Sequence, residues 1–349
     1  MGLNVKLSIV IAVYNVERYI RDCIESIYRQ GLNENDFEVI LINDGSEDNS
    51  IHVIKDLICL HNNVTIINQK NSGSSVAWNN GIANAKGEYI LIVDADDVLI
   101  EGSLNVLLNK AFETKADILI ADYVELDDEN ITPVKVSTVA GDNTTLSYQE
   151  MTGIELYIND LHPSKCYVWR KLYKKQFLID NNLTFIPGIH FQDIPFTSEC
   201  YILANKCIKS SQLLYIYRKR NILPTYDFCV KKCHENAIAI AYTWKLISRY
   251  HLTGKIKAKL KENVYVNFKN FSRRVSHLLK NFEEREYVFD HLRRIVPDFW
   301  PGNRMIQKMV IYIFHHHPLI YNYMRFLYAR IFEDVILSYY RRLYFKLFK

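Results

Sequence analysis

The sequence predicts an α/β fold: a mostly parallel sheet flanked by helices, with a helical carboxyl-terminal extension. Three observations point there. The first 124 residues alternate short apolar runs with helix-period segments, the rhythm of a parallel sheet with crossover helices. The early runs are apolar on both faces, as strands covered on each side must be. From about residue 230 the pattern becomes helical and rich in Lys, Arg and aromatic residues. These features divide the chain into a domain over 1–225 and an extension over 226–349.

The elements follow in order. "LSIVIAVYN" (7–15) reads as a buried first strand. Ile20, Cys23, Ile24 and Ile27 form the i, i+3, i+4, i+7 stripe of a helix. "FEVILINDGS" (37–46) is a second strand, 49–60 a helix and "VTIINQ" (64–69) a third strand. Residues 74–86 suit a helix closed by Gly87. "EYILIVDADD" (88–97) is a fourth strand, followed by a helix near 101–113 and the strand "ADILIADYV" (116–124). Residues 125–147 are polar and irregular, and 148–215 mix helix and strand signals.

Each early strand ends in polar residues: Tyr14-Asn15, Asn43 to Ser46, Gln69 to Gly73, and Asp94 to Asp97. Ligands of open α/β sheets bind beyond the carboxyl ends of the strands, so four such ends in sequence imply one crevice. Asp94, Asp96 and Asp97 follow "ILIV" directly. Carboxylates this close either keep a proton or share a cation. Mg²⁺ or Mn²⁺ suits oxygen ligands and accepts phosphate oxygens as well. Strand alternation puts Asp94 and Asp96 on one side and Asp97 on the other, where it could cap the next helix. By itself, D-x-D is equally compatible with a solvated turn.

Composition bounds the remaining possibilities. Nearly half of the 349 residues are apolar, so a large core is available and disorder is not expected. Seven Cys without repeated spacing look like reduced cytosolic thiols. Cys229, Cys233 and His234 lie close together but lack the further ligands that zinc requires. No run of 18 apolar residues occurs, and "MGLNVKLSIVIAVYN" reads as a strand, not a secretory signal. Residues 1–254 carry a net charge of −7 and residues 255–349 a net charge of +11. Such a split suggests a basic tail with its own partner.

With these residues in view, the first 220 or so resemble the inverting family-2 glycosyltransferases of the GT-A fold, of the bacterial polysaccharide- and capsule-assembly type. "SIVIAVYNVERYI" resembles the family's opening strand, Ala12-Val13-Tyr14-Asn15 standing for "PxYN". "INDGSEDNS" resembles "DDGSxDxS", and "NSGSSVAWNNGIANAKGEYILIVDADDVL" the block that ends in the acidic motif. "VWRKLYKKQFL", "FQDIPF" and "YIYRKR" resemble its later signatures.

The resemblance implies an enzyme that transfers sugar from a nucleotide-sugar donor, UDP being the commonest base, to a glycan or lipid-linked acceptor. It implies Val13, Tyr14 and Glu17 around the base, with Asp44 accepting a hydrogen bond from the base edge. Asp94 would face the ribose or the metal shell, Asp96 would bind the ion, and Asp193 would be the catalytic base. From position alone, Asp193 two residues before Pro195 also reads as a helix N-cap. Three residues depart from the family pattern: Asn43 for Asp, Trp78 for Arg, and Gln192 for Glu. No other positive charge is evident to face the leaving group. Tyr167 and Trp169 suit either a sugar-stacking face or the core. A degenerate, non-catalytic binder of nucleotide sugars is the alternative. A nucleotidyltransferase would want a glycine-rich loop where "YNVERYI" stands.

Residues 331–349 place Phe332, Ile336, Tyr339, Leu343 and Leu347 along one helical stripe, with basic residues beside it. Two readings stand: a helix for an anionic membrane surface, or one packed on the catalytic domain. The protein is expected in the cytoplasm, the first reading adding a peripheral seat on the inner face of the cell membrane. No nucleic-acid motif is evident, and "HHHP" (315–318) is a poor metal site because consecutive His do not share a helix face.

Overall fold

A computed structural model of the chain describes residues 5–128, 131, 146–161, 166–220, 229–278 and 282–296. The 331–349 helix, the "HHHP" segment and the "NILPTYD" segment (221–227) lie outside the described residues. Among the described residues, no helix is long and apolar enough to cross a membrane.

Strand β1 (Leu7–Val13) is central because its side chains are apolar on both faces. It pairs in parallel with β2 (Phe37–Asn43) on one side and β4 (Tyr89–Asp94) on the other. Strand β3 (Val64–Asn68) extends the parallel set beyond β2. Beyond β4 the sheet becomes mixed. Strand β8 (Lys171–Lys174) runs antiparallel to β4 and to β6 (Ile118–Asp127). Strand β9 (Cys207–Lys219) lies parallel to β6, and the short β5 (Val98–Leu99) and β7 (Tyr148–Met151) pair antiparallel with β9. The order is β3-β2-β1-β4-β8-β6-β9-β5, with β7 on β9.

Alternation along β1 feeds two cores. Leu7, Ile9, Ile11 and Val13 face one layer with helix α1 (Ile20–Tyr28) and helix α4 (Ser103–Thr114). All four residues of the expected α1 stripe are buried there. Between them, the segment expected to be one helix over 49–60 is a 3-10 turn (His52–Ile54) followed by a short α2 (Lys55–Leu60).

Val10 faces the opposite layer. That layer holds α3 (Ser74–Asn84), α5 (Gly153–Asn159), the end of α6 (Lys175–Asp180) and α7 (Asp193–Leu203). The basic, aromatic segment adds α8 (Val230–Arg249), α9 (Gly254–Leu278) and α10 (Phe282–Ile295), whose buried residues join the same core. Glu199 of α7 is buried and accepts hydrogen bonds from Arg249 (2.7 Å), Tyr250 (2.7 Å) and Tyr242 (3.2 Å). A carboxylate left alone there would be costly, so α7 and α8 are stabilised as a pair.

Gly87 does not close α3 as expected. The helix ends at Asn84 with an extended Ala85, and Gly87 lies against β1. A Cβ at Gly87 would sit 2.4 Å from the Ser8 nitrogen and 2.5 Å from the Leu7 carbonyl carbon. Its N–H donates to Ser8 Oγ at 2.8 Å. Glycine is needed for backbone approach, not for a left-handed cap. Gly87→Ala is therefore expected to lower stability by about 1–3 kcal/mol, the usual cost of overpacking. Urea unfolding followed by circular dichroism measures this; a midpoint equal to the parent's contradicts the close-approach account.

Candidate active site

The parallel register sets out the site. Val13 lies beside Asn43, and Ala12 beside Asp94, so the loops after β1, β2 and β4 leave the sheet at one edge. The first two loops are clasped together. Asn15 takes a positive φ of 52°, and its side-chain oxygen accepts the Glu47 N–H at 2.9 Å. The Val16 N–H donates to Ser50 Oγ and the Glu17 N–H to Asp48. Glu17 in turn accepts the Asn49 N–H at 3.0 Å. Tyr14 is exposed at this clasp. Val13 is fully buried in the core, so the expectation that it lines a base pocket is met at most by its backbone. Its carbonyl already accepts the Asp44 N–H.

Asp44 is buried and organises the loop that opens α3. One carboxylate oxygen accepts Gln69 Nε2 and the Ser72 N–H, both at 2.8 Å; the other accepts the Gly73 N–H at 2.9 Å. A carboxylate has about four lone-pair sites, so these three contacts leave one of them unfilled. Asn43 donates to Asn68 Oδ1 at 2.9 Å and accepts the Ser46 N–H. The first of these contacts needs the amide that replaces the family's Asp.

The acidic motif resolves its repulsion in two ways at once. Asp94 and Asp96 are partly exposed, whereas Asp97 is buried, as strand alternation predicts. Burial, with the Asp94 charge adding to it, pushes the Asp97 carboxyl up to about 8, so it keeps its proton at neutral pH. Asp97 does not cap α4, whose N-cap residue is Gly102. It accepts the Arg218 N–H at 2.8 Å instead. Asp96, by contrast, forms an ion pair with Arg220.

Arg218 fixes the turn between them. Its side chain is only 4% exposed. It donates to the Asp96 carbonyl at 2.7 Å, to Asp22 at 2.9 Å and to Asp128 at 2.5 Å. Both guanidinium groups also lie over the Tyr19 ring, at 5.0 Å for Arg218 and 5.1 Å for Arg220. The fully buried Tyr215 accepts the Asp94 N–H at 3.0 Å. Two cations therefore face the acidic turn, which corrects the expectation that no other charge stands near the leaving group. Both belong to "YIYRKR", a segment weighed for its pattern and not for the charge it returns to the acidic turn.

Asp193 arrives from far along the chain. Phe191 has a positive φ of 63°, and Gln192 Nε2 donates to Ser74 Oγ at 2.9 Å, joining this turn to the start of α3. Asp193 is the first residue of α7; Gln192 stands at the N-cap position without a side-chain cap, so Asp193 is not the N-cap. Burial raises its carboxyl above the usual range, and the positive charge of Lys171 opposes that rise. Asp94 is pushed up to about 6, first by burial and then by the Asp193 charge, with Arg220 opposing. Asp94 thus interacts with Asp193 and with Arg220, the cation paired with Asp96.

Other sequence candidates fall outside this group. Trp169 is buried between Tyr215 (ring centroids 4.1 Å) and Tyr167 (4.7 Å), which settles it in the core. Trp78 is buried against Phe185, so the position of the family's Arg supplies no charge. Cys229 is exposed and Cys233 buried. Among the described residues, no group of three or more His, Cys, Asp or Glu side chains could hold a metal ion. Asp94 and Asp96 supply two hard oxygen donors. That fits a Mg²⁺ or Mn²⁺ ion completing its shell from water and a substrate's phosphates, and not a metal caged by protein alone.

Comparison with known proteins follows this geometry. Residues 8–177 match the model of glycosyl transferase family 2. The uncharacterized glycosyltransferase EpsJ of Bacillus subtilis is 33% identical over 270 residues, 74% of each chain. The chain belongs to glycosyl transferase family 2. Its fold is similar to that of S. aureus TarS in complex with UDP, with a TM-score of 0.64 and 20% identity over 84% of this chain and 81% of that one. It is also similar to the mannosyltransferase PcManGT of Pyrobaculum calidifontis in complex with GDP-Man and Mn²⁺. There the TM-score is 0.50 and the identity 14%, over 93% of this chain and 84% of that one. The architecture is the GT-A fold, and this family-2 member is a glycosyltransferase.

The neutral Asp97 has a measurable consequence. In the unfolded chain an Asp ionises near 3.8, whereas folded Asp97 holds its proton to about 8. The folded state binds the extra proton across that window, so the contribution of Asp97 to stability falls as pH rises through it. Asp97→Asn lacks this loss and keeps an acceptor for the Arg218 N–H. The melting temperature of the variant relative to the parent is expected to climb between about pH 5 and pH 8 and then level off. A difference independent of pH contradicts a protonated Asp97.

Proposed function

We propose that this glycosyltransferase moves one sugar from a nucleoside-diphosphate donor, in the first instance a UDP-sugar, to a hydroxyl of a glycan or lipid-linked saccharide. The observation that carries the reading is the acidic turn at the end of β4, where Asp94 lies within electrostatic reach of Asp193 at the start of α7. Tyr14, Glu17, Asp44 and the Val13 backbone hold the base and ribose side of the donor, with the open acceptor position of Asp44 taking a base N–H. The setting is assembly of a bacterial polysaccharide in the cytoplasm. Residues 331–349 supply the contact with the membrane surface where the acceptor resides.

The reaction is a single displacement with inversion. Asp193 takes the proton of the acceptor hydroxyl as its oxygen attacks the anomeric carbon. The bond from that carbon to the diphosphate oxygen breaks on the opposite face, and the nucleoside diphosphate leaves. A raised Asp193 carboxyl is a stronger proton acceptor than an exposed one, provided the pH stays above its titration. Asp96, with Asp94 beside it, would hold a divalent ion, which when bound supplies Lewis-acid stabilisation of the charge gathering on the diphosphate. Arg220 must leave Asp96 for this, and its guanidinium is then free to pair with phosphate oxygens.

A second reading is a binder of nucleotide sugars without turnover. It rests on Arg220 seated on Asp96 and on Trp78 where the family carries Arg.

Calorimetry with UDP, GDP and dTDP, with and without Mn²⁺, identifies the base. Hydrolysis and transfer assays with the matching sugar donors then separate the two readings. Asp193→Asn is expected to lower kcat roughly 100- to 10,000-fold while donor affinity is kept. A variant as active as the parent rules out Asp193 as base, and binding without turnover in the parent supports the second reading.

A further inference from the structure

Lys171 is buried, at 1% exposure, in the middle of the sheet. On β8 it stands opposite Ile120 of β6. Its ammonium donates to the Tyr167 carbonyl, to the Cys166 carbonyl at 3.4 Å and to Thr197 Oγ1 at 3.4 Å. Thr197 Oγ1 itself donates to the Cys166 carbonyl at 2.8 Å. The ammonium also lies 5.5 Å from the centre of the Tyr201 ring. All of these partners are neutral. A charge drawn out of water returns little from neutral acceptors alone, and a methionine would fill the same space without the desolvation cost.

The placement of those partners gives the buried amine a role. Thr197 and Tyr201 lie four and eight residues after Asp193 on α7, so all three share one face of that helix. At 1.5 Å of rise per residue, Thr197 stands about 6 Å along the axis from Asp193. The ammonium therefore sits about one turn beneath the proposed base, bonded to the same helix face and to the 166–167 backbone. We propose that Lys171 is a positioning residue for sugar transfer, its hydrogen bonds to Thr197 and to the 166–167 backbone holding the first turns of α7 so that the Asp193 carboxylate meets the acceptor hydroxyl. This rests on the reading of Asp193 as base. The Lys171 charge acts on Asp193 against the effect of burial, in keeping with the geometry. Burial pushes the Lys171 ammonium down to about 7, with the Arg170 charge adding to that fall and Cys166, Cys200 and Asp193 opposing it.

Lys171→Met and Lys171→Arg test the assignment in the full-length protein. The probes are UDP-glucose, UDP-N-acetylglucosamine and GDP-mannose, with release of the nucleoside diphosphate as the readout. Lys171→Met is expected to lower kcat about 10- to 100-fold, the range that misplacement of a reacting group produces. Its KM for the donor and its calorimetric affinity for UDP should match the parent's, and Lys171→Arg should recover part of the rate. Parental kcat in Lys171→Met, or a loss confined to KM, overturns the proposal. Should Lys171→Met fail to fold, Thr197→Val removes one of the same hydrogen bonds; a lower kcat at unchanged KM supports the proposal and an unchanged kcat overturns it. Full activity in Asp193→Asn discards the base assignment beneath it, whereas an inactive Asp193→Asn beside a fully active Lys171→Met discards this inference alone.

Discussion

Negative charge gathered at the ends of buried strands is the constraint around which this molecule is arranged. Asp94 and Asp96 leave β4 beside the end of β1, and α7 brings Asp193 within electrostatic reach of Asp94. Three carboxylates in a partly desolvated space repel one another strongly, because each is poorly screened by water. The protein answers with protons and cations. Asp97 keeps its proton, Arg220 pairs with Asp96, Arg218 holds the backbone of the turn, and Lys171 lies beneath Asp193.

Those answers come from opposite ends of the domain, and that dictates the unusual half of the sheet. Strands β1 to β4 build the parallel edge from local βαβ units. Strands β8 and β9 must then return across it, β8 carrying Lys171 and β9 carrying Tyr215, Arg218 and, just beyond it, Arg220. The basic helical segment supports the same arrangement from behind. Glu199 binds Arg249, Tyr242 and Tyr250, and this anchors the helix that begins with Asp193. The helix that begins with Asp193 thus rests on a basic segment that has no assigned contact with the proposed substrate.

Much of this was legible in the chain. Apolar runs with intervening helix periods identified the parallel strands, and polar residues after each run marked the edge proposed to take the ligand. Alternation correctly separated Asp97 from Asp94 and Asp96. The errors share one cause. Gly87 and Asp97 each have a local role in the sequence reading, as helix closure or cap, on the strength of neighbours in sequence. Each is instead governed by a partner distant in sequence: Ser8 for Gly87 and Arg218 for Asp97.

The sequence by itself determined the early parallel strands, their buried faces, the acidic turn and the family, because these depend on periodicity and residue type along short stretches. Tertiary structure alone decided which charges meet. Whether a carboxylate is ionised, paired or neutral depends on how much water reaches it and on which cation is folded against it. Neither quantity exists until residues more than a hundred positions apart, such as Asp97 and Arg218, are packed side by side.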